Sequence, residues 1–212
     1  MADLEFFFDP VCPWAWVTSR WVTEVKQLRE YDVRWRFISL KMVNEARTDG
    51  AYGDNFRDGH MAGLYAHRVC DEVRLQQGNS EVGALYTALG MAFHQSDTER
   101  MINGDPETFM TEILKTADLA TDYASHVHDE SHDAYIREDT ELALSRTGRD
   151  VGTPIITFHP GQPDEGSFFG PVISAIPRGE DALRLWDAIE LIATSSGMSE
   201  LKRSNRAQLN FN

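Results

Sequence analysis

The apolar positions change period twice in the first forty residues. Leu4–Phe8 is a short apolar run ended by Asp9-Pro10, the pattern of a buried strand. Apolar residues then recur at Trp14, Val17, Trp21, Val25 and Leu28, one stripe of a helix. Pro13 suits the first helical position, where its missing N–H costs nothing. Asp32–Leu40 alternates Val33, Trp35 and Phe37 with Arg34 and Arg36, which predicts a second strand. Strand, helix and strand in so short a span form a βαβ unit, with the two strands parallel neighbours.

From Met42 the period becomes helical. Asn44–Asn55 is polar, holds Gly50 and Gly53, and reads as a loop. Met61, Leu64, Tyr65 and Val69 then share one face, and Val82, Leu85, Tyr86, Leu89 and Phe93 share another. Phe109, Ile113, Leu114 and Ala117 make a third, and shorter helical patterns cover 121–127 and 132–146. Ser80 and Asp105 are the expected caps. Strand character returns at Ile155–Phe158. Turn chemistry at 160–166 and a second short run at 167–170 predict an antiparallel hairpin. Ala182, Leu185, Trp186, Ile189 and Ile192 line the inner face of a closing helix over 178–196. The chain is therefore expected to be α/β. Residues 1–41 and 148–212 form the frame, and 42–147 an inserted all-helical domain.

Composition narrows the class. With 42% hydrophobic and 25% charged residues over 212 positions, the chain is globular. Its formal charge of −14, from 34 acidic against 20 basic residues, repels phosphate backbones and anionic lipids, so neither nucleic acid nor a membrane is an expected partner. No apolar run approaches a transmembrane span, and the acidic start Met1-Ala2-Asp3-Leu4-Glu5 is unlike a secretory signal. The two cysteines, Cys12 and Cys70, do not make a disulfide framework. A cytoplasmic protein with free thiols is the expectation.

Cys12 is the sharpest chemical feature. It falls at the N-cap of the first helix, where backbone N–H groups and the helix dipole favour an anion, so a lowered thiol pKa is expected. Gly152-Thr153-Pro154 precedes a strand; a cis bond there would leave the Thr153 backbone free to pair with an extended substrate beside Cys12. Trp14 could offer a ring face to a planar substrate. Asn44 follows the second strand, where ligands collect in α/β sheets, or is an ordinary turn residue. His94 ends an amphipathic helix, where a positive charge is favourable. Cys70 reads as a packed thiol. His128 and His132 stand i, i+4 among His126, Asp129, Glu130 and Asp133, a zinc-like spacing, but no cysteine joins them and the run reads as a solvated acidic face, so no metal site is expected. No glycine-rich phosphate cradle follows a strand, so no tightly bound dinucleotide is expected.

Together, Phe8-Asp9-Pro10-Val11-Cys12-Pro13-Trp14, Trp16–Trp21, Ser39-Leu40 with Asn44-Glu45, Leu85–Gly90, Val151-Gly152-Thr153-Pro154, and Phe168–Val172 with Ile176–Gly179 resemble the DsbA-like thioredoxin superfamily. They most resemble its actinobacterial mycothiol-dependent nitroreductases and reductases. The resemblance implies a thioredoxin fold carrying a helical insertion. It also implies a cytoplasmic oxidoreductase that uses mycothiol as thiol co-substrate, and Trp14, Asn44 and His94 beside the nucleophile Cys12. Thr153 and Pro154 would orient the partner, and a redox protein such as a mycoredoxin would regenerate the thiol. The substrate would be a disulfide or an electrophilic small molecule. The family motif is usually Cys-Pro-Trp-Cys; here Cys12-Pro13-Trp14-Ala15 lacks the resolving thiol. That is the motif of a natural monothiol member or of one whose cysteine was replaced. Two alternatives stay open: a transferase or isomerase like the kappa-class glutathione transferases, and a non-catalytic binding module on the same fold.

Overall fold

The computed structural model describes residues 2–45, 54–96 and 101–211. Most of the expected polar loop Asn44–Asn55 therefore lies outside the described residues. The first strand, β1, is Leu4–Phe8; the helix α1 is Pro13–Leu28; and β2 is Val33–Phe37. β1 and β2 pair in parallel from Leu4 opposite Val33 to Phe8 opposite Phe37, completing the expected βαβ unit. The later strands, β3 at Ile155–Phe158 and β4 at Gly166–Phe169, form the expected hairpin. β3 runs antiparallel to β1, so the order is β2-β1-β3-β4. This is the thioredoxin arrangement that the resemblance implies.

β1 lies in the middle and is buried along its whole length, which is why its sequence is a continuous apolar run rather than an alternation. Its two faces meet different helices. Phe6 and Phe8 face a large core shared with Trp16 and Trp21 of α1 and with Trp186 of the closing helix α8, Gly179–Thr194. Trp21 Nε1 donates to the Ala182 carbonyl at 2.9 Å, tying α1 to α8. Phe7 faces a smaller core with Ile38, Ile155, Ala143 and Leu144. Ala143 and Leu144 belong to α7, Asp133–Thr147.

Glu5 shares that second face and is 3% exposed. Its carboxylate accepts from Arg36 Nε at 2.8 Å and from Arg146 Nη1 at 2.6 Å. Asp139 accepts from Arg36 Nη1 at 2.6 Å and from the Phe37 N–H at 3.1 Å. Charged groups, as well as apolar contacts, thus fasten α7 to the sheet.

Between β2 and β3 lie α2, Leu40–Val43; α3, Asp54–Gln76; α4, Asn79–Gln95; α5, Met101–Gly104; and α6, Pro106–Thr116. The residues 121–128 and 130–132 are 3₁₀ turns. The sequence extends the second strand to Leu40, because Ile38 and Leu40 add apolar character at its end. Ser39 instead caps a new helix, its Oγ accepting from the Met42 N–H at 3.4 Å. Asp105 caps α6 as expected, accepting from Thr108 N–H at 3.0 Å. Ser80 caps nothing: α4 starts after Gly78, whose φ of 101° suits glycine. The side chain of Asn79, not Ser80, ties that start to the sheet, pairing with both the N–H and the carbonyl of Trp35 at 2.7 and 2.8 Å.

Candidate active site

β1 ends at Phe8, and α1 starts at Pro13 after a four-residue turn that opens with Asp9. Asp9 is fully buried and builds the turn between them. Its Oδ1 accepts from the Val11 N–H at 3.1 Å, and its Oδ2 accepts from the Leu40 N–H at 2.7 Å. The Cys12 N–H donates to the Asp9 carbonyl at 3.0 Å, and the Cys12 carbonyl takes the first helical bond from Trp16 N–H. Cys12 is the N-cap of α1 and Pro13 follows at its first position, as the sequence predicts. Asp9 was read only as a strand stop, because a carboxylate spent on backbone N–H groups has no sequence signature of its own.

The thiol faces the other end of the chain. Cys12 Sγ–H donates to the Thr153 carbonyl oxygen at 3.5 Å. The Thr153–Pro154 bond is cis, as expected, and Thr153 Oγ1 donates to the Phe7 carbonyl at 3.3 Å. A second cis bond, Gly170–Pro171, was not foreseen. The Gly170 N–H donates to the Pro154 carbonyl at 2.8 Å, and Thr18 Oγ1 of α1 donates to the Pro171 carbonyl at 2.8 Å. Two proline loops thus flank the start of α1.

The lowered thiol pKa expected for a helix N-terminus is not found. Cys12 is 8% exposed, and burial pushes its thiol up to about 12; the nearby Asp9 carboxylate adds to this, while the N–H groups of Ala15 and Trp14 pull the other way. At neutral pH the resting thiol is thus held in its protonated form. Alkylation of Cys12 by iodoacetamide in a Cys70→Ser chain is therefore expected to quicken by about tenfold per pH unit from 7 to 10, without a plateau. A plateau near neutrality would mean that the helix terminus outweighs burial. The same raised pKa stabilises the fold below the thiol's unfolded value, and that contribution is lost as pH rises above it.

The remaining expected site residues take definite places. Trp14 is half-buried, with the Arg206 guanidinium 5.4 Å from its ring centroid. Ala15 is fully buried. His94 Nε2 pairs with the Pro10 carbonyl at 3.0 Å, two residues before Cys12, and its ring stacks on Phe211. Burial pushes the His94 pKa down to about 4, so it is neutral and does not act as a helix-end cation. Asn44 is the C-cap of α2 and its Nδ2 donates to the Leu40 carbonyl at 2.8 Å. Its described role is to close that turn. Cys70 is fully buried in α3, and burial raises its thiol as well, as a packed cysteine requires.

A cleft of about 260 Å³ runs along α1, one turn beyond Cys12, with Trp16, Arg20, Thr87, Gln95 and Phe211 among its walls. Arg20 lies 4.1 Å from the Trp16 ring centroid, and its Nη1 donates to Thr87 Oγ1 at 2.9 Å. Its Nη2 has no partner among the described residues. Pattern reasoning could not place Arg20, since an arginine on an amphipathic helix ordinarily faces water.

The histidine pair read from spacing does not form. His128 lies against the Tyr65 ring, 5.1 Å between centroids, and it is His126 that meets His132. The i, i+4 rule holds on an α-helix, and here two short 3₁₀ turns replace it. His132 is also buried at 5% exposure, not on a solvated face.

A family model described as "Rv2466c-like: Mycothiol-dependent nitroreductase Rv2466c" matches residues 11–203. A relative from Mycobacterium tuberculosis, the uncharacterized protein Rv2286c, is 26% identical over 211 residues, covering 96% of this chain and 82% of that protein. Among solved structures, a probable DsbA oxidoreductase from Streptomyces coelicolor is similar with a TM-score of 0.60 and 17% identity, covering 96% of this chain and 94% of that one. The cytosolic disulfide reductase DsbM from Pseudomonas aeruginosa follows with a TM-score of 0.56 and 14% identity, covering 89% and 98%. These two likenesses are of fold. Among the described residues no helix is long and apolar enough to cross a membrane.

Proposed function

The chain belongs to the Rv2466c-like family of mycothiol-dependent nitroreductases, and from that premise we propose that it is a cytoplasmic monothiol oxidoreductase working through a mixed disulfide at Cys12. The family makes it an enzyme with mycothiol as thiol co-substrate. The observation that carries the finer reading is the placement of Sγ between the N-terminus of α1 and the Thr153 carbonyl. The Cys12 sulfur attacks a disulfide R–S–S–R′, the new Cys12–S–S–R bond forms, and R′–S⁻ leaves with the proton that Cys12 gave up. The Trp14 and Ala15 N–H groups are the ones that favour the sulfur as an anion. Burial holds the resting sulfur neutral, and its bond to Thr153 is given up when a substrate pairs with the Thr153 backbone and takes that carbonyl. Trp14 and the Arg20 cleft would carry the polar body of the thiol. Asn44 and His94 would act at one remove, holding the α2 turn and the Pro10 carbonyl.

Release needs a second sulfur, and Ala15 supplies none. Mycothiol itself or a mycoredoxin-type partner would attack the mixed disulfide from outside. Disulfides and electrophilic small molecules such as nitroaromatics are the proposed substrates. The test is to load Cys12 by exchange with mycothiol disulfide, one mycothiol leaving as the thiol, remove the excess, and follow intact mass. The adduct should persist in this chain and be lost from an Ala15→Cys chain, which gains an internal exit by closing a disulfide between positions 12 and 15. Equal lifetimes, or spontaneous release with loss of the Cys70 thiol, would refute the external resolving step. A second reading, activation of a bound thiol without a covalent intermediate as in kappa-class transferases, is favoured by one observation, the neutral resting Cys12. A Cys12→Ser chain separates the two, since only the second reading lets it keep turnover.

A further inference from the structure

Away from Cys12, a set of metal-ligating side chains converges on α3. His126 Nδ1 and His132 Nε2 face each other at 3.1 Å. Asp129 Oδ2 lies 3.4 Å from His126 Nδ1 and 3.8 Å from His132 Nε2. Glu72 of α3 brings Oε2 to 3.8 Å from His132 Nε2 and Oε1 to 3.9 Å from His126 Nε2. Ligand atoms of Glu72, His126 and His132 all fit within 4.8 Å of one another. A tetrahedral zinc ion with bonds of about 2.0–2.1 Å holds its ligand atoms about 3.3 Å apart. With His126 offering Nδ1, the edges among His126, Asp129 and His132 are 3.1, 3.4 and 3.8 Å and Glu72 Oε2 stands 3.8 Å from His132 Nε2, so the set would draw in by about half an ångström on an ion.

We propose that Glu72, His126, Asp129 and His132 bind one divalent transition-metal ion of the zinc type, which fastens the 121–132 segment to α3. A second layer of contacts gives this cluster the character of a built site. The buried Asp71 accepts from His132 Nδ1 at 2.8 Å through Oδ2, and its Oδ1 accepts from Arg74 Nε at 2.7 Å. With its proton on Nδ1, the neutral imidazole of His132 turns the Nε2 lone pair toward the other three groups, the carboxylate–histidine arrangement usual behind a metal-bound imidazole. His132 and Asp71 are 5% and 2% exposed, so this orientation is fixed by packing. Glu72 is held as well, its Oε1 accepting from Gln76 Nε2 at 2.9 Å while Oε2 is left for the ion. His126 and Asp129 are more open and give the ion its way in. Two imidazoles and two carboxylates, with no sulfur, suit zinc better than a soft ion such as copper(I), and the imidazoles disfavour magnesium or calcium.

The full-length chain should take up one zinc ion in a calorimetric titration with zinc alone. Cobalt in its place should give the visible absorption of a tetrahedral ion without a sulfur charge-transfer band. His126→Ala, at a partly exposed side chain, should weaken zinc at least tenfold, and Asp71→Asn by about 10–100-fold. Zinc should raise the Tm of the parent chain but not of His126→Ala. His128→Ala and Cys12→Ser should bind as the parent does. Binding that survives His126→Ala, binding that disappears with Cys12→Ser, or no zinc uptake by the parent chain would each overturn the proposal.

Discussion

Cys12→Ser is expected to abolish every mass adduct with mycothiol and to lower mycothiol-dependent turnover by a factor on the order of 10³ or more. A serine hydroxyl in the same buried place cannot form a disulfide, and its proton is held far more tightly than that of a thiol, so the covalent route closes completely. The fold should barely notice, because the exchange removes only a sulfur-sized difference in volume and leaves the helix cap intact. Serine is itself a favoured N-cap residue. Thermal unfolding and turnover measured on the same preparation separate the two effects. Turnover kept within about tenfold of the parent would refute the mixed disulfide and favour direct activation of a bound thiol, since a hydroxyl can still hold a thiolate by hydrogen bonding.

The second large effect concerns stability. Glu5→Ala should destabilise the chain by about 3–5 kcal/mol, the usual cost of breaking a buried charge pair from one side. It leaves Arg36 with Asp139 alone and deprives Arg146 of its buried partner. Urea unfolding would measure it. A loss below about 1 kcal/mol would mean that these charges are hydrated like an exposed pair. The two carboxylates of this network shift in opposite directions. Burial raises the Glu5 pKa, but hydrogen bonds from Arg146 and Arg36 outweigh it and the net shift is downward. Burial dominates at Asp139, which is raised despite Arg36. Glu5 therefore adds stability above its unfolded pKa, lost as pH falls through its folded value. Asp139 has the opposite sign: with its pKa raised by burial, its contribution to stability improves as pH falls through its folded value.

Much of this architecture could be read from residue order. β1, α1, β3 and α8 have unmixed periods over their whole length, and packing had no reason to override them. The misreadings fall where two patterns overlap. Ile38 and Leu40 carry apolar character past the end of β2, yet Ser39 starts a helix. The run 121–132 has helical spacing too short to distinguish an α-helix from 3₁₀ turns, and that difference decides which histidines meet. The site divides in the same way. Cys12, Pro13 and Thr153-Pro154 are local signals and stand where expected. The depth at which Cys12 is buried depends on the Asp9 turn and two proline loops more than a hundred residues away, which no local pattern carries.

That depth has a consequence for how long the enzyme lasts. Peroxide oxidises the thiolate and not the thiol, and successive oxidation to sulfinic and sulfonic acids is irreversible for most proteins. A sulfur kept protonated by burial offers peroxide almost nothing to attack. With no neighbour at position 15 to rescue a sulfenic acid as an internal disulfide, such protection is worth more here than in a two-cysteine relative. On the proposed mechanism the covered thiol would work as a safety catch: the sulfur would become reactive when a substrate displaces its cover, and oxidants too small to engage the Thr153 backbone would pass it by.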